Sequence, residues 1–229
     1  MNDSTRVIDE AIGADMAQPF GAGKEPGEQG SVEWLMERCG LITASRFKDA
    51  MDFLKSGKPG AKRTAYLWEL VYERLTFKPA YHAVSYAMER GTELEPMARM
   101  AYESFTGNMV TETGFHKHPT LTFCGGSPDG LVDDDGGCEF KCPMNPENHL
   151  STFLSGMDED HMSQVQGLMW ILGRQWWDFG SYNPDIPAPH DLYVVRVDRD
   201  DEYIAKLEAA VISLNDEVNA ILDKLKEAA

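Results

Sequence analysis

The sequence predicts a single α+β (mixed α/β) domain in which helices flank a central sheet. Three observations predict it. Apolar residues recur at helical spacing before residue 106; from 109 to 142 the pattern alternates with period two; and a last segment carries apolar residues three and four apart over several turns. The chain has 229 residues, 42% of them hydrophobic and 26% charged. That is long enough to bury one sizeable core, and the composition is unlike that of a disordered chain.

Residues 1–31 are rich in glycine, proline and acid without a sustained period, and read as a mobile N-terminal arm. The folded domain is expected over 32–229, starting near Val32-Glu33-Trp34. Phe47, Ala50, Met51 and Leu54 follow helical spacing, so a helix is expected from Ser45 to Leu54, with Gly57 as its stop. Residues 56–62 are a loop, and Thr64–Leu75 is a second helix. Thr92-Glu-Leu-Glu95 fits a capping box that opens a helix to about Phe105, with Pro96 in the first turn. Val110–His116, Leu121–Cys124, Gly130–Asp133 and Cys138–Cys142 read as a four-strand meander with a hairpin turn at Asp134-Asp135-Gly136-Gly137. A helix from about Glu159 to Leu172, strands at Trp176–Tyr182 and Leu192–Val197, and a long C-terminal helix over 200–227 complete the order. The last helix carries a narrow seam of Ile204, Leu207, Val211, Leu214, Val218, Ile221 and Leu225, suited to its own sheet or to a second subunit.

No run approaches the ~18 apolar residues of a membrane span, and the start has acids but no apolar signal region, so a cytosolic protein is expected. Cys39, Cys124, Cys138 and Cys142 form no CxxC pair and read as buried free thiols. His116 and His118 alternate on a strand without an evident third ligand and read as surface residues. The net charge of −17 argues against a simple nucleic-acid binder but not against a DNA enzyme, whose metal needs carboxylates. The charge is also uneven. Between residues 38 and 63, Arg38, Arg46, Lys48, Lys55, Lys58, Lys62 and Arg63 stand against only Asp49 and Asp52.

The chemistry is concentrated between Ser127 and Lys141. Asp129 starts one strand, and Glu139 and Lys141 lie on the next. Period two puts Glu139 and Lys141 on one face with Phe140 on the other, and hairpin pairing can bring Asp129 beside that face. Two carboxylates can hold a hard cation such as Mg²⁺ through oxygen, and a lysine beside them can orient water or stabilise negative charge. A surface salt bridge on a hairpin is the alternative. Asp133, Asp134 and Asp135 read as a solvated turn; with Gly136 at the glycine position of an EF-hand, Leu131 would be the first ligand. Ser45 begins a helix, where it can cap the backbone or help bind an anion, and Arg38 can add a bidentate phosphate contact.

The stretch from Pro128-Asp129 to Glu139-Phe-Lys141 matches the PD-(D/E)XK nuclease signature. Ile42-Thr-Ala-Ser45, Arg90-Gly91 with Glu95, Ser127-Pro-Asp-Gly130, Glu139-Phe-Lys-Cys-Pro143, and Gln164-Val-Gln166 with Met169-Trp170 occur in the order of the phage lambda exonuclease family, the YqaJ-type viral recombinases. The chain resembles that family over roughly residues 33–205. The resemblance implies a restriction-endonuclease-like sheet and a Mg²⁺-dependent 5′-to-3′ exonuclease that leaves a 3′ tail on double-stranded DNA for recombination by annealing. Two Mg²⁺ ions per site are implied, with Mn²⁺ substituting.

Residue by residue, it implies Asp129, Glu139 and the Phe140 carbonyl as metal ligands, Glu95 as a further carboxylate, Lys141 as the catalytic lysine and Gln164 as the residue steadying the site. Arg38, Ser45 and Ser127 resemble a pocket for a terminal 5′-phosphate. Lys55, Lys58, Lys62 and Arg63 would track the DNA backbone, and Met88 sits where an apolar wedge is expected. His161 replaces an aromatic hydroxyl residue, and Lys55 replaces an arginine. A ring-shaped homotrimer, a phage single-strand annealing protein as partner, and a phage or prophage origin in a bacterial cytoplasm are also implied. Three rival functions remain open: a structure-specific or restriction-type endonuclease of the same fold, an acidic DNA-mimic inhibitor, and a catalytically inert DNA-end-binding module on this fold.

Overall fold

The computed structural model describes residues 31–80 and 86–228, so the expected arm lies, up to residue 30, outside the described residues. Ser31 caps helix α1 (Val32–Arg38) by accepting from the Trp34 N–H at 3.1 Å. Strand β1 (Ile42–Thr43), a 3-10 turn (Ala44–Arg46) and one helical turn, α2 (Phe47–Ala50), follow. The helix expected to reach Leu54 stops at Ala50. The chain there doubles back, bridging Phe53 to Pro59, and Phe53 and Leu54 stay exposed. Helix α3 (Ala61–Thr76) ends on Phe77, whose φ of 55° is left-handed.

Helix α4 (Tyr86–Thr106) already contains Thr92, so the expected capping box does not open it. The Thr92 hydroxyl instead donates to the Met88 carbonyl at 3.3 Å, one turn back, and Pro96 lies inside the helix. Strands β2 (Val110–Thr111), β3 (His116–Lys117), β4 (Cys124–Gly126), β5 (Gly130–Val132) and β6 (Gly136–Lys141) come next. Helix α5 (Pro146–Ser155) was not foreseen. Its signal is Asn145-Pro146-Glu147, in which the Asn145 side chain accepts from the Glu147 N–H at 3.0 Å and Pro146 fills the first turn. A 3-10 turn (Glu159–His161), helix α6 (Met162–Leu172), strands β7 (Trp176–Tyr182) and β8 (Leu192–Asp198), and helix α7 (Asp201–Glu227) complete the chain.

The expected meander is two sheets. One runs β1-β4-β3 and the other β2-β5-β6-β7-β8. The strand expected over 110–116 breaks because Val110 pairs with Val132 of β5, whereas His116 pairs with Gly126 of β4. In the larger sheet β6 lies between β5, antiparallel, and β7, parallel. On one face, Trp177 and Phe179 of β7 join Val165, Leu168 and Met169 of α6 and the buried stripes of α3 and α7 in the main core. On the other, Phe140 and Tyr182 pack with Ala98 and Tyr102 of α4 in a smaller one. The α7 seam is buried from Ile204 to Val218, mainly along α3 rather than on the sheet, and Leu225 is exposed.

Candidate active site

The antiparallel register of β5 and β6 puts Asp129 beside Glu139. Gly130 pairs with Cys138, and Asp129 Oδ2 accepts from the Phe140 N–H at 2.6 Å. Gly130 has to be glycine: a Cβ there would lie 2.1 Å from Val110 Cγ1. Glu139 and Lys141 share a face as expected, while Phe140 turns the other way onto Tyr102, with ring centroids 5.4 Å apart. Lys141 Nζ donates to Glu139 Oε1 at 2.6 Å, and Gln164 Nε2, from α6, donates to the same oxygen at 2.5 Å. Gln164 Oε1 in turn accepts from Lys141 Nζ at 3.3 Å. The other Glu139 oxygen, Oε2, is buried without a hydrogen-bond partner.

Three acids therefore surround one lysine. Burial, then the charges of Glu139 and Glu95, pushes the Asp129 carboxyl well above the usual carboxylate range. Burial and Glu139 raise Glu95 in the same direction. Burial works against the charge on Lys141, but Glu139 and Asp129 outweigh it, and its pKa rises. Among the described residues no group of three or more His, Cys, Asp or Glu side chains is placed, as it stands, to hold a metal ion. The orphaned Glu139 oxygen and the mutual repulsion of the acids nevertheless fit a hard divalent cation, whose charge would relieve both.

These groups line one cleft of about 1020 Å³. The first half of α4 contributes Met88, Gly91, Thr92 and Glu95, successive turns of one helix face. At the other side Arg38 donates to Ser127 Oγ at 3.0 Å and to Ser45 Oγ at 3.4 Å, so the three expected phosphate contacts come together. Among the described residues no carboxylate lies within ion-pair distance of Arg38, although burial has lowered its pKa to about 10. A half-buried guanidinium held by hydroxyls is poised for an outside anion. Ser45 lies inside the 3-10 turn, whose N-cap position is Thr43, so it is not itself the helix cap.

Met88 is exposed and lines the cleft, as does His161. His161 stacks on Phe179 at 5.0 Å, and burial, then Lys141, lowers its pKa to about 4. Lys55 and Lys58, on the segment between α2 and α3, and Lys62, in the first turn of α3, are exposed and away from the cleft lining. Arg63 corrects the expectation of a DNA-tracking residue. It is 0% exposed, donates to the Ala50 and Ala210 carbonyls and to Ser213, and pairs with Glu217 at 2.7 Å. It joins α3 to α7 and cannot reach a ligand. His118 is likewise buried, its Nδ1 accepting from the Leu121 N–H at 3.0 Å.

Trp34 and Lys48 are among the cleft residues that the sequence does not mark as part of the site. Trp34 donates from Nε1 to Ser127 Oγ at 3.2 Å and carries the Arg38 guanidinium 3.9 Å above its ring. Its signal was its spacing, four residues before Arg38 on one helix face. Lys48 also lines the cleft, three residues beyond Ser45.

A model of the YqaJ-like viral recombinase domain matches residues 33–175. No curated protein matches. Among solved structures, an alkaline exonuclease (LHK-Exo) from Laribacter hongkongensis is 41% identical, with a TM-score of 0.78, covering 86% of this chain and 96% of that one. The same exonuclease in complex with dAMP is 41% identical at a TM-score of 0.79, with the same coverage. A phage related exonuclease from Haemophilus somnus 129PT shares the fold at 17% identity and a TM-score of 0.70, covering 81% of this chain and 96% of that one. The matched stretch runs from α1, which carries Arg38, through the β5–β6 hairpin and past Gln164, so the site and the family likeness occupy the same part of the chain. This chain belongs to the YqaJ-like viral recombinase family.

Proposed function

We propose that the chain is a metal-dependent nuclease, specifically a 5′-to-3′ exonuclease that degrades one strand of linear double-stranded DNA and leaves a 3′ single-stranded tail for strand annealing. The observation that carries this reading is the shared cleft. The Asp129, Glu139 and Lys141 cluster, with its orphaned carboxylate oxygen, opens into the same space as the Arg38, Ser127 and Ser45 anion pocket. Family membership and the likeness to a named alkaline exonuclease support it.

Asp129, Glu139 and the Phe140 carbonyl would hold Mg²⁺, with Glu95 contributing to a second ion and Mn²⁺ substituting. A divalent cation held there would supply charge neutralisation at the scissile phosphate and lower the pKa of the attacking water. Lys141, fixed by Glu139 and Gln164, orients that water or donates to the developing negative charge. Arg38 and the two serines bind the terminal phosphate and so set which bond reaches the carboxylates. A homotrimeric ring, a phage annealing protein as partner, and work in a bacterial host cytoplasm belong to the same reading. No helix among the described residues is long and apolar enough to cross a membrane.

The test is digestion of 5′-phosphorylated linear duplex, labelled separately at each end, in Mg²⁺ or Mn²⁺. Unnicked circles and a Lys141→Ala variant run beside it. Release from 5′ ends alone, with intact circles and a variant slowed at least ~10²-fold, is the expected result. Cut circles would make the protein an endonuclease, and no hydrolysis in either metal would overturn the enzyme reading.

A further inference from the structure

The cleft holds one cation that the proposed chemistry does not use. Lys48, on α2, lines it together with Arg38, Ser45 and Ser127, and follows Ser45 by three residues on the same turn of chain. Across the cleft, the 3-10 turn before α6 presents Asp158, Glu159 and Asp160, which also line it. The Lys48 Nζ meets Asp160 Oδ2 at 3.6 Å, so this ion pair bridges the two walls. Asp160 is held in place by its own turn: its N–H donates to Asp158 Oδ1 at 2.8 Å.

The pair is built to exchange. Its length exceeds that of a charge-assisted hydrogen bond, and its side chains are 42% and 64% exposed. Such a pair contributes little to stability, so a better anion can displace the carboxylate at small cost. By contrast, Arg46 is fixed to Asp49 at 2.6 Å and to Glu69 at 3.0 Å, and Arg63 is buried. Of the basic residues near Ser45, Lys48 is the one whose head group faces the cleft on a loose partner.

We propose that Lys48 is a further phosphate ligand of this cleft, and that Asp160 occupies it until the terminal phosphate of a nucleic-acid strand takes its place. The proposal rests on the nuclease reading for the identity of the anion. A terminal phosphate monoester carries close to two negative charges near neutral pH, whereas a phosphodiester carries one and a hydroxyl end none. The acidic turn repels every incoming phosphate. Only a group whose attraction to Arg38 and Lys48 exceeds that repulsion seats itself, which makes the Lys48–Asp160 exchange a selector for phosphorylated ends.

The experiment is fluorescence anisotropy of the full chain in EDTA, with duplexes that differ only in a 5′-phosphoryl or 5′-hydroxyl end. The wild type is expected to prefer the phosphorylated end about tenfold, the contribution of one charge-assisted contact. Lys48→Gln should reduce that preference about threefold, leaving the share that Arg38 and the two serines hold. Asp160→Asn should tighten binding of the phosphorylated end several-fold by freeing Lys48. Lys226→Gln, which removes a remote exposed cation from α7, should leave the preference intact and so control for net charge. Equal binding of both ends by the wild type would overturn the proposal, as would a preference that Lys48→Gln leaves undiminished or an affinity that Asp160→Asn leaves unchanged. A preference carried by Lys48 in a protein that digests neither duplex would sink the nuclease reading and leave this one standing.

Discussion

Gln164 on α6 donates to one oxygen of Glu139 at 2.5 Å and leaves the other oxygen bare. The amide thus fixes which way the carboxylate faces before any cation arrives. Removing it frees the Glu139 side chain to rotate around its remaining bond to Lys141. For Gln164→Ala we expect divalent-metal affinity to fall about 10–100-fold, the usual cost of losing an orienting partner behind a ligand. Calorimetric titration with Mn²⁺ reads this directly, and unchanged affinity would remove Gln164 from the site.

The Arg38 guanidinium sits 3.9 Å from the centre of the Trp34 ring and reaches two serine hydroxyls. A lysine cannot reproduce both the stack and the fork. Arg38→Lys is therefore expected to behave nearly like Arg38→Ala, raising KM for 5′-phosphorylated duplex about tenfold or more with a smaller change in kcat. Rescue by lysine would mean that charge alone matters there.

Arg63 makes a contrasting case. Its guanidinium is fully buried and satisfies two main-chain carbonyls and a glutamate. Arg63→Met strands those acceptors and should cost about 2–4 kcal/mol, a fall in Tm of about 5–15 °C. DNA affinity of the folded fraction should not change. A variant of native Tm that binds DNA weakly would restore Arg63 to the DNA surface.

His161 gives the pH dependence. Lys141 and Lys48 on one side and Asp158 and Asp160 on the other act on the ring, and burial dominates, lowering its pKa from 6.5 to about 4. The unfolded chain therefore binds the proton more readily than the folded one between these values. Stability attributable to His161 is complete above pH 6.5 and is lost as pH falls toward 4. His161→Phe keeps the ring on Phe179 and removes the proton. Denaturant midpoints for the variant should fall less steeply than the wild type's between pH 6.5 and 4; identical slopes would refute the assignment.

What the sequence disclosed follows from how local each signal is. Asp129, Glu139 and Lys141 could be read because strand alternation and one hairpin suffice to place them. The α7 seam could be read because its spacing persists for about six turns. The split of the meander could not: whether Val110 pairs with β5 or β3 pairs with β4 depends on contacts made across the chain. Arg63 misled for the same reason. Its basic neighbours suggested a charged surface, while its partners Ala210, Ser213 and Glu217 lie on a helix some 150 residues away. Thr92 satisfied the letter of a capping box inside a helix that had already begun.

The two faces of the larger sheet are unequally anchored. The main core gathers α3, α6 and α7, whereas α4 rests on a handful of side chains around Tyr102 and Phe140. Glu95 rides on α4, while Asp129, Glu139 and Gln164 belong to the sheet and α6. A cation shared among them would act as a rivet between the less and the more firmly held parts of the molecule. In deuterium exchange, the amides of α4 should open before those of α6 in the metal-free protein and slow most when Mg²⁺ is added. Cleft assembly and metal loading would then be one event, with α4 as the part that moves.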